Sequence, residues 1–382
     1  MRIMQVTPFF SPKMGGSVQV VYHISRELAE QGHDVTVVSG DFGIKNAAFP
    51  LQAFKTVILP SPISRWGFYI TPGLIPWMHK HIKEFDIIHL HEARTFQNFV
   101  ARWFAVRAKV PYVLSAHGTL PIIVQRQFFK RVYDLFFGKK NVEAARYLVA
   151  VSPTEALQYR QAGIENDRIR TIYNGINLEE FLNLPAKGAF RRKIPGLNTD
   201  TRIILYLGRL HQRKGINFLL EAIAQLLKRI NNLVLAIVGP DDGDQANLQS
   251  LTKSLNIEKY VKFAGPLYGQ DKLAALQDAD ILVYPAVYEI FGLVPFEALM
   301  CSTPVIVADD CGLGQLIRES GAGYLVRYGN VPALVESLQF ALLNPEDAQQ
   351  KVKAGQAFIH ERLDWKSIVN QLIMLYQHCI NY

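Results

Sequence analysis

Two glutamates eight positions apart, Glu289 and Glu297, enclose the run Ile-Phe-Gly-Leu-Val-Pro-Phe and follow an apolar segment at Ile281–Tyr284. An ionised carboxylate accepts two hydrogen bonds at once, so acids in this pattern suit the hydroxyls of a sugar. If a helix starts at Gly292, the backbone N–H groups from Phe291 to Leu293 face an anion, and Glu297 lies about one turn inside. The plainer alternative is one acid complementing a helix dipole and a second acid on the surface. A second cluster, Gly208, Arg209 and Lys214, follows the apolar run Ile203–Leu207. Glycine there permits a tight turn, while a forked guanidinium and a compact ammonium could converge on a pyrophosphate. The same two cations could equally be solvated surface charge.

The first half carries a quieter set. Gly15, Gly16 and Ser17 open an amphipathic run after the first apolar segment, where the glycines permit close approach of an anion and Ser17 can cap. His117 and Gly118 follow the run Tyr112–Leu114 and favour a ligand contact over a structural histidine only by position. His89 and His91 alternate on one strand but lack a third ligand, so no metal site is expected. The nicotinamide fingerprint, the Walker P-loop and the G-x-S-x-G nucleophile elbow are absent.

These residues share a placement: each follows a short β-branched run. Such runs recur at Ile3–Val6, Val35–Val38, Val57–Leu59, Ile87–Leu90, Tyr112–Leu114 and Leu148–Val151. They recur again at Ile203–Leu207, Leu233–Val238, Val261–Ala264, Ile281–Tyr284 and Val305–Val307, with amphipathic stretches between. Alternation of this kind predicts parallel sheets covered on both faces, in an α/β chain of two doubly wound domains. In open parallel sheets, ligands bind beyond the carboxyl ends of the strands, where all the candidates fall. The Gly- and Pro-rich stretch between Tyr173 and Thr201 reads as a linker, and the pattern at Trp365, Ile368, Leu372 and Tyr376 as a terminal amphipathic helix.

Composition sets the bounds. With 382 residues, 49% hydrophobic and 19% charged, the chain can bury two cores, which excludes wholesale disorder. No apolar run is long enough to span a bilayer, and the start has no signal-peptide core. Cys301, Cys311 and Cys379 lack metal or disulfide spacing and suit a reducing cytosol, so a cytoplasmic protein is expected. Residues 1–170 hold 21 basic and 12 acidic side chains, a balance of +9 that exceeds the whole-chain net charge of +8. That asymmetry points to an anionic partner of the first half. Within 121–147, six cations face Asp134 and Glu143 and are interleaved with Phe128, Phe129, Phe136 and Phe137. The pattern fits an interfacial helix on an anionic membrane, peripheral at its inner face, and fits a buried helix with solvated cations as well.

In this order, the motifs VTPFFSPKMGGSVQVVYHISRELAEQGHDVTVVS, DIIHLHE, AHG, VSPTEALQYRQAG, YNGIN, LYLGRLHQRKGI and EIFGLVPFEALMCSTPVIVAD resemble the retaining glycosyltransferases of family four. The resemblance covers essentially the whole chain and implies the GT-B architecture, two Rossmann-like domains facing across a cleft. It implies an acceptor-binding domain over 1–172, a linker and nucleotide-sugar domain over 173–358, and a segment 359–382 packing back on the first domain. It further implies that Glu289 holds donor-sugar hydroxyls and Glu297 the ribose. In the same resemblance Arg209 and Lys214 would bind the diphosphate, with Gly16, Gly208, Phe291, Gly292 and Leu293 assisting. By the same resemblance, His117 would contact the transferred sugar. The implied activity is a metal-independent hexosyl or N-acetylhexosaminyl transfer in glycoconjugate biosynthesis, with the nucleotide sugar as donor substrate, no cofactor, a glycan or lipid-linked acceptor, and no nucleic acid. The chain departs from the family pattern at Asn177 and near Gln315. A sugar-nucleotide epimerase of the same fold and a non-catalytic binding subunit are the rival readings. Retention of Glu289, Arg209 and Lys214 weighs against the second.

Overall fold

The computed structural model describes residues 1–12, 15–44, 49, 53–65, 68–121, 131, 133–194 and 197–381. The chain forms two compact units, Met1–Gly175 with Leu363–Tyr382, and Ile176–Arg362.

In the first unit the strands are β1 (Arg2–Phe9), β2 (Asp34–Gly40), β3 (Lys55–Leu59), β4 (Ile63–Arg65), β5 (Phe68–Ile70), β6 (Ile87–His91), β7 (Tyr112–Ser115), β8 (Tyr147–Ala150) and β9 (Ile169–Thr171). Seven of them make a parallel sheet ordered β3-β2-β1-β6-β7-β8-β9, and β4 with β5 forms an antiparallel hairpin. Side chains alternate across a strand, so Ile3, Gln5, Ile87, His89, His91 and Val113 share one face. Helix Gly16–Glu30 and the terminal helix Trp365–Asn381 cover that face. Val20, Ile24, Ile368, Leu372 and Tyr376 enter one core with Ile3, Val37, Ile87 and Val113. Each fully buried Val, Leu or Ile contributes about 1.5–3 kcal/mol, which is why the terminal helix holds its place. The opposite face, with Met4, Ile88, Leu90 and Leu114, packs on Met78, Val100, Ala101 and Phe104.

The second unit contains β10 (Arg202–Leu207), β11 (Leu233–Val238), β12 (Val261–Gly265), β13 (Ile281–Tyr284), β14 (Val305–Ala308) and β15 (Tyr324–Val326). They pair in parallel in the order β12-β11-β10-β13-β14-β15. β10, β11, β13 and β14 are buried almost throughout, as near-continuous apolar runs require of a sheet covered on both faces.

Three expectations shift. The division lies at Gly175/Ile176 rather than 172/173, and the returning segment starts at Leu363 rather than 359, because Pro345–Arg362 is a helix of the second unit. The expected linker is partly folded: the Asp278 carboxylate accepts the backbone N–H groups of Gly188, Phe190 and Arg191, and Phe190 is buried. Of the 121–147 stretch, residues 122–130 and 132 lie outside the described residues. Among the described residues, no helix is long and apolar enough to cross a membrane.

Candidate active site

The strand order of the second unit reverses between β10 and β13, so the loops leaving these two strands flank a natural ligand crevice. Gly208 ends β10. A Cβ there would press on the Tyr206 hydroxyl, and the Tyr206 hydroxyl itself donates to the Arg209 carbonyl. A short turn at Gln212–Lys214 closes through Gly215, whose φ of 68° and proximity to the Pro285 carbonyl exclude a side chain. That closeness to the segment after β13 aims Lys214 at Glu289. Lys214 Nζ lies 2.5 Å from Glu289 Oε2 and 2.9 Å from the Tyr284 hydroxyl, and the Tyr284 hydroxyl donates to the same carboxylate oxygen at 3.1 Å. Burial pushes the Glu289 carboxyl up, but the Lys214 charge and both hydrogen bonds outweigh it and hold the group ionised below its ordinary range. Arg209 is placed apart from this triad. Its guanidinium is 61% exposed and pairs with Asp242 at 2.6 Å. Arg209 and Lys214 therefore differ in their direct ion-pair partners, although the charges of both help to hold Glu289 ionised.

Gly292 is the N-cap of helix Leu293–Met300, at φ 71°, with no capping side chain. A Cβ on Gly292 would crowd Glu289 Cγ and Leu313, so glycine lets the helix start beside the Glu289 loop. The helix N-terminus thus presents its positive end close to Glu289. Five residues into this helix, Glu297 pairs with Lys272 at 3.0 Å, and Lys272 also lies 4.0 Å from Glu180. Burial pulls the Lys272 ammonium down, and the two carboxylates more than reverse this. Glu297 Oε2 is buried with no hydrogen-bond partner, which leaves one carboxylate oxygen for a ligand hydroxyl rather than two.

The first unit's sheet reverses between β1 and β6, and His117 lies past the neighbouring β7. Its backbone is left-handed, φ 51°, and is followed by Gly118 at φ 77°. Glu155 pins this turn by accepting from the Gly118 N–H at 2.6 Å and the Val151 N–H at 2.8 Å. His117 Nε2 meets His91 Nδ1 at 2.9 Å, and His91 Nε2 meets Gln5 Oε1 at 2.7 Å. His89 is occupied by the Tyr376 hydroxyl and Ser115, each at 2.7 Å. Burial drives His89 down to about 3, His117 to about 4 and His91 well below its ordinary value, so all three rings are neutral. Among the described residues, no group of three or more His, Cys, Asp or Glu is placed to hold a metal ion. Gly16 begins its helix as expected, with Gly15 as cap at φ 105°. Ser17 does not cap. Its side chain hydrogen-bonds Glu92, which burial pushes up to about 7 against that bond and one from Thr119. Asn177 bonds Glu180, and Gln315 bonds Glu319.

Sequence reasoning missed Tyr284, Lys272 and Glu155. A tyrosine closing a strand and a lone lysine on a helix carry no pattern. The Ser152-x-x-Glu155 spacing does carry one, the capping box, and Ser152 indeed caps its helix. A cavity of about 620 Å³, lined by Lys109, Arg146, Tyr147 and Arg168 among others, opens at the amino ends of β7 and β8, and no candidate residue lines it.

The model for glycosyl transferases group 1 matches residues 189–358, and that for Glycosyltransferase Family 4 matches residues 14–180. An uncharacterized glycosyltransferase of Methanocaldococcus jannaschii is 28% identical, over 99% of this chain and 98% of its own. A phosphatidyl-myo-inositol mannosyltransferase of Mycobacterium leprae is 24% identical, over 99% and 96%. The structure of Anabaena HepE in complex with UDP-glucose superposes with a TM-score of 0.81 at 20% identity, covering 99% of this chain and 100% of that one.

Proposed function

This chain belongs to the glycosyltransferases of family four, with the two parallel-sheet α/β domains of the GT-B fold, and on that premise we propose that it is a retaining, metal-independent hexosyltransferase. The observation that carries the reading is the Lys214–Glu289–Tyr284 triad beside the uncapped helix N-terminus at Gly292, at the topological switch of the second unit. A nucleoside-diphosphate sugar brings two chemistries to such a place. Its diphosphate gains charge as the glycosidic bond breaks, and Lys214, Arg209 and the helix N-terminus would stabilise that charge more in the transition state than before it. Its hydroxyls would take Glu289 on the sugar and Glu297 Oε2 on the ribose. His117 of the first unit would contact the transferred sugar. Two protein cations in this role make a divalent ion unnecessary.

The relative that transfers mannose and the neighbour bound to UDP-glucose favour mannosyl or glucosyl transfer. The acceptor in this reading is a glycan or a lipid-linked one, and the positive first unit would bring the enzyme to the inner face of an anionic membrane. Arg131, Lys139, Lys140, Arg146 and the exposed Phe137 belong to the described part of that surface.

A melting screen against UDP-, GDP- and ADP-sugars tests the donor reading. A ligand at one hundred times its Kd stabilises by about 2.7 kcal/mol, a readily seen rise. No rise with any nucleotide sugar would sink the proposal. Co-sedimentation with vesicles of graded anionic lipid content tests the membrane reading, and binding that ignores lipid charge would refute it.

A further inference from the structure

The hydrogen bonds behind His117 have a direction, and that direction fixes what His117 can offer a ligand. Gln5 and His91 are fully buried on one face of the first sheet, on adjacent strands β1 and β6. Gln5 Oε1 is an acceptor, so at 2.7 Å the proton lies on His91 Nε2. A neutral ring carries one proton, and His91 Nδ1 is then a lone pair. His117 Nε2, 2.9 Å away, must be the donor to it. The rings are inclined by 5° with centroids 5.2 Å apart. Given the 2.9 Å contact, that separation arises only when both nitrogens lie near the line between the ring centres. The two imidazoles are therefore edge to edge in one plane, the geometry a nitrogen lone pair needs for a straight hydrogen bond. Neutrality is secured by burial of both rings.

We propose that Gln5 and His91 are positioning residues that hold His117 in its Nε2–H tautomer, so that Nδ1 meets the bound sugar solely as a hydrogen-bond acceptor. The group it takes is a sugar hydroxyl that donates, and a ring in this state cannot serve as a proton donor to the leaving group. The proposal rests on the transferase reading for the identity of the ligand, though not for the tautomer.

The tautomer is read directly from imidazole nitrogen shifts of the full chain labelled with ¹⁵N-histidine, with His117→Ala assigning the ring. The expected spectrum shows Nε2 protonated and Nδ1 bare in both His91 and His117. Protonated Nδ1 in His117, or an imidazolium at pH 7.5, overturns the proposal. Gln5→Met should release His117 into a tautomer mixture, while Gln5→Glu, which keeps an acceptor facing His91, should preserve the wild-type form. An unchanged His117 spectrum in Gln5→Met would remove Gln5 from the relay. Ligand chemistry is then probed with UDP-glucose or GDP-mannose, whichever binds, against its monodeoxyfluoro analogues. Fluorine accepts weakly and cannot donate. One analogue should bind or turn over about 5–10-fold worse, and that penalty should vanish in His117→Ala. Equal behaviour of all analogues in the wild type would overturn the acceptor role. Failure of every nucleotide sugar to bind would instead refute the transferase reading and leave the tautomer result standing.

Discussion

The two switch points solve recognition with opposite electrostatics. In the second unit, Lys214 with Glu289 and Lys272 with Glu297 are ion pairs, and Glu289 stays charged because its partners outweigh burial. In the first unit burial dominates instead: three histidines are driven below their ordinary range and are neutral, while Glu92 and Glu155 are pushed up to about 7, where they hold a proton about half the time at neutral pH. A charged crevice can exchange one ionic partner for another and so admits an anion. A neutral relay has no charge to exchange and can sort only hydrogen-bond donors from acceptors. On the proposed reading, the same doubly wound scaffold would carry a site for charge and a site for hydroxyl geometry, and the side chains alone would make the difference.

The sharpest way to break this comparison is to delete one member from each site. Lys214→Ala and Glu289→Ala should each lower transfer by about 10²–10³, the scale of losing a charge-stabilising contact at a reacting centre. His117→Ala should cost only about 5–10-fold, the scale of one uncharged hydrogen bond. Steady-state turnover at matched circular dichroism decides it, and equal losses would mean that the neutral site is as electrostatic as the ionic one.

Acid should expose the contrast next. His91 is held neutral in the fold, so its folded pKa lies below the unfolded value near 6.5. Its stabilising contribution is present above pH 6.5 and is lost as pH falls below it, because the unfolded chain takes the proton. Glu92 and Glu155 run the other way: their contribution is full below pH 4.5 and is lost as pH rises through about 7. Comparing the chain with His91→Gln isolates the histidine. Going from pH 5.5 to pH 8, stability should rise less, or fall more, in the variant than in the parent chain, by about 1 kcal/mol, measured by urea unfolding. An unchanged difference would show that His91 is protonated in the fold.

The smallest expected effect is none. Excess chelator should leave turnover intact, because on the proposed reading Lys214 and Arg209 supply the positive charge. Loss of activity restored by manganese would overturn that assignment of the leaving-group chemistry.

Much of this architecture is legible in the sequence. Runs such as Leu233–Val238 and Ile281–Tyr284 coincide with strands because a fully covered strand must be apolar on both faces. Short edge strands escaped: Ile169–Thr171, Tyr324–Val326 and the hairpin at Ile63–Arg65 and Phe68–Ile70 are too brief to show a period. The site residues after each strand could be named, but not their partners. That Lys214 faces Glu289 and Arg209 faces Asp242 depends on how Gly215 packs against Pro285, a contact across 70 positions of sequence. The relay at Gln5, His91 and His117 depends likewise on β1 and β6 being neighbours. A pattern read along the chain shows which side chains reach a sheet's end, and sheet order decides which of them touch.

The terminal helix has a consequence for how the protein is made. Because residues 363–382 belong with residues 1–175, the second unit is an insertion within the first. On the ribosome, the first 175 residues emerge with Ile3, Val20, Ile87 and Val113 awaiting Ile368, Leu372 and Tyr376. At roughly 5–20 residues per second, the intervening 187 positions delay that cover by roughly 10–40 s. The later-encoded unit is complete before the earlier one. During that interval the nascent chain carries an open apolar face, which makes it a natural client for chaperones. A premature stop before Trp365 would make the exposure permanent, which favours aggregation over a merely shortened enzyme.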